Sequence, residues 1–286
     1  MEDQELRQIL RGIAGRNLEE RTHWYLPAAE AYDATRPKYP PELVDEVIQS
    51  AGLTGSSRIL EIGCGPGTAT TAFAQLGCRM VCLEPNPEFY ALALSNCRLF
   101  PGVRVCNTTF EGWDLEVEAF DAVLPASSMH WIPFRLGYDK ASRALRDGGR
   151  MILLWNKELQ PCGAMRDALS CVYERHAPSL GHAEDAITQE AILAGLGGMM
   201  LESGRFGTLL TASLQTSVDY TADQYISLLG TYSSYLQLER STRNALFADI
   251  RQCILEQGAG EIRLSYRSAY HVARKLPAAG ASALAL

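Results

Sequence analysis

The sequence predicts an α/β fold, a doubly wound and mostly parallel sheet of about seven strands with an antiparallel strand at its edge. Three observations carry that expectation. Helical and strand-like patterns alternate from Pro41 to Trp155, as they do in a parallel sheet covered by helices on both faces. A loop with glycines at 63, 65 and 67 follows the first strand-like run, where such sheets bind ligands beyond their strand ends. Two late stretches are strand-like, "LLTASLQTSVDY" and "EIRLSYRSAYHVARK", and they suit an antiparallel pair at the sheet edge.

The elements follow in order. "PPELVDEVIQSAGL" opens on proline and spaces Leu43, Val47 and Ile48 as a helix does. "SSRILEI" is a short strand that runs into the glycine loop, and "TATTAFAQLG" is a helix closed by Gly77. "RMVCLE", "VRVCNTT" and "FDAVLPAS" read as the next strands, with the helix "PEFYALALSNCR" after the first of them. "RLGYDKASRALRDGG" is expected as a helix ending in a glycine turn before the strand "RMILLW". Beyond Trp155, "MRDALSCVYERH" and "TQEAILAGL" read as helices. "TADQYISLLGTYSSYLQL" starts on a capping box, Thr221 with Gln224. "RNALFADIRQCILEQG" is amphipathic, with Leu246, Ile250, Ile254 and Leu255 on one side. At the start of the chain Leu6, Ile9, Leu10 and Ile13 form one apolar helical stripe.

Bulk properties narrow the function. A net charge of −7 over 286 residues, with no Lys/Arg run, argues against a dedicated nucleic-acid binder, which needs a basic face. The apolar runs fall short of the ~20 residues that a membrane span needs, and the polar start "MEDQELRQ" shows no secretory signal. Eight scattered cysteines form no C-x-x-C pair, which points to buried reduced thiols in a cytoplasmic protein and to no metal site.

The glycine loop then selects a ligand. "ILEIGCGPGTAT" is G-x-G-x-G, and Thr68 stands where a dinucleotide fingerprint G-x-G-x-x-G puts its third glycine. Glu61 precedes the loop, and Glu84 closes the next strand, where a carboxylate can accept both hydroxyls of a ribose. Two acids suit a ligand with a ribose and an amino group but no phosphate. S-adenosylmethionine is such a ligand.

With those residues in view, "ILEIGCGPGTAT" followed by "CLEPN" closely resembles the first two motifs of class I S-adenosylmethionine-dependent methyltransferases, whose fold is Rossmann-like. "FDAVLPASSMHW", "RALRDGGRMILLW" and the upstream "YDATRPKYPPEL" resemble segments of the small-molecule subgroup similar to trans-aconitate methyltransferase. The resemblance implies that Gly63, Gly65 and Gly67 shape the loop around the methionine end, with Glu61 orienting that loop or the amino group. It implies Glu84 on the ribose, Pro85 and Asn86 beside the adenine, Phe110 or Glu111 on the adenine amino group, and Ala126 and Ser127 along the methionine. Tyr32 joins the cofactor set. Tyr25, Arg36, Trp131 and Tyr232 are candidates for the acceptor pocket, and His130 for a general base. In place of an N-P-P-Y type motif the chain has "LPASSMHW", which argues against nucleic-acid or protein amine targets.

The expected function is methyl transfer from S-adenosylmethionine to a small molecule, with oxygen, nitrogen and carbon acceptors all open, and the oligomeric state open too. A silent S-adenosylmethionine-binding regulator and an NAD-dependent oxidoreductase are the alternatives. The expected organisation is an N-terminal helical lid (1–38), a cofactor-binding core (39–157), a C-terminal part with a helical cap and the last strands (158–275), and a flexible tail (276–286). Trp24, Tyr25 and Tyr32 are expected to wall one side of the pocket, and Tyr225 and Tyr232 the other.

Overall fold

The computed structural model describes residues 3–23, 25–181 and 184–277. The expectations for Trp24 and for most of the tail (278–286) lie outside the described residues.

Among the described residues four α-helices precede the sheet: α1 (Asp3–Ala14), α2 (Leu18–His23), α3 (Ala29–Thr35) and α4 (Pro41–Ala51). The alternating core follows as β1 (Arg58–Ile62), α5 (Thr68–Ala74), β2 (Arg79–Leu83), α6 (Pro87–Asn96), β3 (Val103–Cys106), β4 (Phe120–Leu124), α7 (Phe134–Ala144) and β5 (Leu145–Asn156). The remainder is β6 (Gln160–Pro161), α8 (Gly163–His176), α9 (Ala186–Glu202), β7 (Phe206–Thr221), α10 (Ala222–Leu229), α11 (Ser233–Leu236), α12 (Arg240–Gln257) and β8 (Glu261–Lys275).

Among the described residues the sheet has eight strands rather than about seven, because the two-residue β6 joins it. Its order runs β3-β2-β1-β4-β5-β8, with β1 to β5 mutually parallel. β8 turns antiparallel to β5 and β6, and its other edge pairs with β7 from Phe206 to Thr221. The expected antiparallel edge pair is thus present. The first strand lies at the centre, so the loop after it sits where the strand order reverses.

Two apolar clusters fill the two faces of the sheet. One gathers Leu60, Val123, Leu153 and Trp155, and the other Ile59, Phe73, Leu124 and Leu154. A third, around Tyr225, Leu246, Ile250 and Ile254, is built from the C-terminal helices and the start of β8.

Local chemistry explains several boundaries. Asn86 caps α6 by accepting from the Glu88 and Phe89 amides. Thr221 and Gln224 form the reciprocal capping box that the sequence suggests. The helix expected to run into "RDGG" stops at Ala144, and those residues begin β5 instead, with Gly148 at φ +76°. Two apolar stripes are narrower than their spacing suggests. Ile9 is 46% exposed while Leu6 is buried, and Leu255 is 49% exposed while Leu246, Ile250 and Ile254 are covered. One helix face is wider than the surface it meets.

Candidate functional site

A cleft opens at the carboxyl ends of β1, β2 and β4. It is lined by Gly63, Cys64, Gly65 and Pro66, by Glu84, Pro85 and Asn86, by Phe110 and Glu111, and by Ala126, Ser127 and Ser128. Tyr25, Tyr32, Arg36 and Trp131 complete the wall. The thirteen expected site residues other than Glu61, Gly67, His130 and Tyr232 therefore meet in one place.

The glycine loop does two different jobs. Gly65 sits at φ +56°, and a Cβ added there meets no atom within 4 Å, so its bare backbone borders open cleft. Gly67, at φ +92°, does not line the cleft. A Cβ there would lie 3.2 Å from Cys97 Sγ and 3.7 Å from Ala93 Cα, so this glycine lets α5 start close against α6. Its expected cofactor contact is replaced by a packing role, because the chain has already turned into the helix.

Glu84 closes β2 as a buried carboxylate. Its Oε2 accepts from the Gly65 amide and its Oε1 from the Asn86 amide, both at 2.8 Å. Those bonds occupy two of the roughly four acceptor positions of a carboxylate, which leaves lone pairs for hydroxyl donors. Among the described residues Glu84 has no cationic partner. Burial pushes its carboxyl up to about 7, against the lowering effect of the two amides.

Glu61 lies behind the loop and does not reach the cleft. It is fully buried, accepts the Thr70 hydroxyl at 2.6 Å and the Cys82 thiol at 3.6 Å, and is pushed up to about 8 by burial. Of the two roles left open for it, the contacts favour orienting the loop.

The "FEGW" turn is held from α7. Lys140 Nζ donates to the carbonyls of Phe110 at 2.7 Å and Glu111 at 3.1 Å, and also to that of Trp113. Glu111 pairs with Arg21 of α2 at 2.8 Å, and Arg21 also donates to the carbonyl of Trp131. Ser127, at φ +52°, faces the Tyr39 hydroxyl at 3.1 Å.

The remaining wall comes from before the sheet. Tyr25 packs against Tyr32, Phe89 and Trp131 with ring centroids 5.4, 5.9 and 6.0 Å away. Arg36 is clamped between the rings of Tyr32 (4.8 Å) and Tyr232 (4.0 Å), and donates to the Thr231 hydroxyl and carbonyl at 2.8 and 2.9 Å. Tyr232 therefore stands behind Arg36 rather than in the wall, its own hydroxyl accepting from the Leu159 amide at 3.0 Å. Tyr225 is likewise interior, in the C-terminal cluster.

His130 is separated from the other candidates. It lines a second cavity on the other side of the Met129–Trp131 turn, beside Trp155, and burial holds its imidazole down at about 4. An imidazole that points away from the cleft cannot take a proton from a group inside it. Residues that were not singled out also line the cleft: Arg21, Tyr39, Phe89, Asn156, Lys157 and Leu159. The signal for Tyr39 was its place in "YDATRPKYPPEL"; the others carry none.

Residues 59–149 match the family model described as a methyltransferase domain. Over 140 residues the chain is 34% identical to uncharacterized methyltransferases of Mycobacterium bovis and Mycobacterium tuberculosis, a stretch that is 49% of this chain and 55% of theirs. The chain thus spans about half the length of these curated relatives. The solved structure of a proposed type II methyltransferase from Anaeromyxobacter dehalogenans superposes with a TM-score of 0.61 at 20% identity, covering 85% of this chain and 99% of that one. Haemonchus contortus phosphoethanolamine N-methyltransferase 2, solved with phosphomonomethylethanolamine and S-adenosylhomocysteine, gives 0.50 at 14%, covering 90% and 59%. At these identities the two structures speak for the fold alone.

Proposed function

We propose that this chain, whose residues 59–149 match a methyltransferase domain, is a class I S-adenosylmethionine-dependent methyltransferase and methylates a small molecule enclosed between its glycine-loop cleft and its N-terminal aromatic wall. The observation that carries the reading is Glu84, a buried carboxylate without a cation, held by the Gly65 and Asn86 amides at the mouth of the cleft. A phosphate would be repelled there, whereas a ribose diol supplies the hydroxyl donors that the free lone pairs need. The open face of Gly65 leaves room for close approach beside it.

The cofactor, when bound, supplies an electrophilic methyl on a sulfonium, so the protein has little covalent chemistry to do. Its residues align and enclose. Glu84 fixes the ribose, the Phe110–Glu111 turn borders the adenine side, and Ala126 and Ser127 border the methionine side. Tyr25, Tyr32 and Trp131 exclude water from the acceptor, and Arg36 brings positive charge to that end, whereas the charge of Lys157 is met by Glu184 at 2.7 Å. Alignment of this kind is worth effective molarities of ~10⁵ M or more. No step is assigned to His130. A carboxylate acceptor requires no base, whereas a hydroxyl or carbon acceptor requires one from within the cleft.

In this reading residues 39–157 hold the cofactor, residues 158–275 complete the sheet and cap the site, and the segment from Leu18 to Lys38 is the cover. α1 pads the fold instead, since Leu6 packs in the core beside the 129–131 turn and α9. The acceptor belongs to the small-molecule class, as the acidic chain and the "LPASSMHW" motif suggest, and the protein works in the cytoplasm. Among the described residues no helix is long and apolar enough to cross a membrane.

The test is calorimetry with S-adenosylhomocysteine. The wild type should bind it and show no heat with NAD, and Glu84→Ala should weaken binding by ~1.5–3 kcal/mol, the cost of hydrogen bonds to a charged group. Equal affinity in the two proteins would remove the ribose assignment.

A further inference from the structure

The second cavity is larger than the hydrogen-bonding needs of its wall. It spans about 540 Å³ between α1, α7, α9 and the segment 129–133, whereas roughly 10–15 Å³ of such space admits a water. Two buried ring nitrogens at it, Trp155 Nε1 and His130 Nδ1, have no hydrogen-bond partner among the described residues. Their rings lie 5.6 Å apart, and Trp155 is only 7% exposed. An unmet buried donor costs about 1–3 kcal/mol, so such atoms are usually satisfied by something. The indole N–H can only donate, so the missing group is an acceptor.

The charge of the wall narrows that group further. Arg7, Arg11 and Arg135 line the cavity against one acid, Glu202, which Arg7 already engages with both guanidinium nitrogens. In a chain of net charge −7 this is a local positive field, and it attracts anions. The rest of the wall is apolar, with Leu10, Ile132 and Phe134 among it.

We propose that this cavity is a binding site, separate from the cofactor cleft, for a small organic carboxylate with an apolar body. The carboxylate sits at the mouth against Arg11 and Arg135. The body lies along Leu10 and Phe134, and an oxygen on it accepts from Trp155 Nε1 and, in the Nδ1–H tautomer, from His130. His130 is neutral over the physiological range because burial opposes its charged form. Ile132 lines both cavities, and Trp131 faces the cleft while His130 faces away, so one turn forms part of both walls. A ligand here stiffens the turn that borders the acceptor pocket, which makes the site suited to an effector.

Octanoate, which carries the charge and the apolar body, and 8-oxooctanoate, which adds the oxygen on the body, serve as the probes, titrated into the full-length protein with Trp fluorescence and calorimetry as readouts. The expected result is saturable one-site binding that S-adenosylhomocysteine does not displace, with 1-octanol at least roughly tenfold weaker because it lacks the charge. Arg11→Glu with Arg135→Glu, both at exposed positions, should weaken octanoate roughly tenfold or more. Trp155→Phe, if folded by circular dichroism, should weaken 8-oxooctanoate by about threefold to tenfold, the worth of one neutral hydrogen bond. Absence of saturable binding, equal affinity for octanol, displacement by S-adenosylhomocysteine, or indifference to the double arginine change would each overturn the proposal. The arginine pair decides the matter if Trp155→Phe does not fold.

Discussion

Replacing Arg36 with methionine should loosen the join between the N-terminal wall and the C-terminal cap. The guanidinium donates two charge-assisted hydrogen bonds to Thr231, a fully buried residue, and lies over the rings of Tyr32 and Tyr232. Bonds to a charged group are worth about 1.5–3 kcal/mol each, and a cation–π contact about 0.5–2 kcal/mol. These terms overlap, and methionine retains much of the apolar stem, so the net cost is about 2–4 kcal/mol. That is a large share of the ~5–15 kcal/mol typical of folded domains. Urea unfolding followed by fluorescence should show a lower midpoint with an unchanged slope. In a cycle with Thr231→Val, the pair should couple by about 1–2 kcal/mol. A loss below about 0.5 kcal/mol, or a coupling near zero, would refute the clamp and leave Arg36 as a wall residue only.

Gly65→Ala should cost about 1 kcal/mol of stability for its left-handed backbone, yet weaken S-adenosylhomocysteine about tenfold or more because the methyl enters the cleft, as calorimetry and urea melts of one sample would show. Gly67→Ala should show the opposite balance, with stability lost against Cys97 and affinity little changed. Cofactor-product affinity should rise as pH rises through about 7, where Glu84 becomes an ionised acceptor, and Glu84→Gln should flatten that rise in calorimetry. Glu61, at about 8 folded and near 4.5 unfolded, favours the folded state fully only while protonated in both. Its contribution is therefore present below about pH 4.5 and lost as pH climbs to about 8, so Glu61→Gln should gain stability relative to wild type over that window.

The parts of this fold that were legible are those in which the backbone dictates the pattern. Strand and helix alternation, the positive-φ glycine loop and the Thr221 capping box all follow from local rules, and they put the cleft after β1. Side-chain direction was not legible. Glu61 and Glu84 both end or nearly end a strand, yet one faces Thr70 behind the loop and the other faces the cleft. His130 and Trp131 are neighbours that line opposite walls, because a tight turn splays successive side chains. Arg36 bonds Thr231, 195 positions later in the sequence, and lies over the neighbouring Tyr232 ring, a pairing that no local period encodes. Arg21 and Lys157 enter the cleft through the packing of the cover and of the segment after β5, with no motif around them.

The central claim, that this cleft catalyses methyl transfer to a small molecule, is tested most directly by following the methyl itself. The purified protein would be incubated with methyl-labelled S-adenosylmethionine and a metabolite extract, and small-molecule products and S-adenosylhomocysteine would be measured by mass spectrometry. The predicted result is one or a few labelled small molecules formed with equimolar S-adenosylhomocysteine, and their loss in Glu84→Ala. Tight S-adenosylhomocysteine binding with no labelled small molecule, or label found only on protein or nucleic acid, would contradict it.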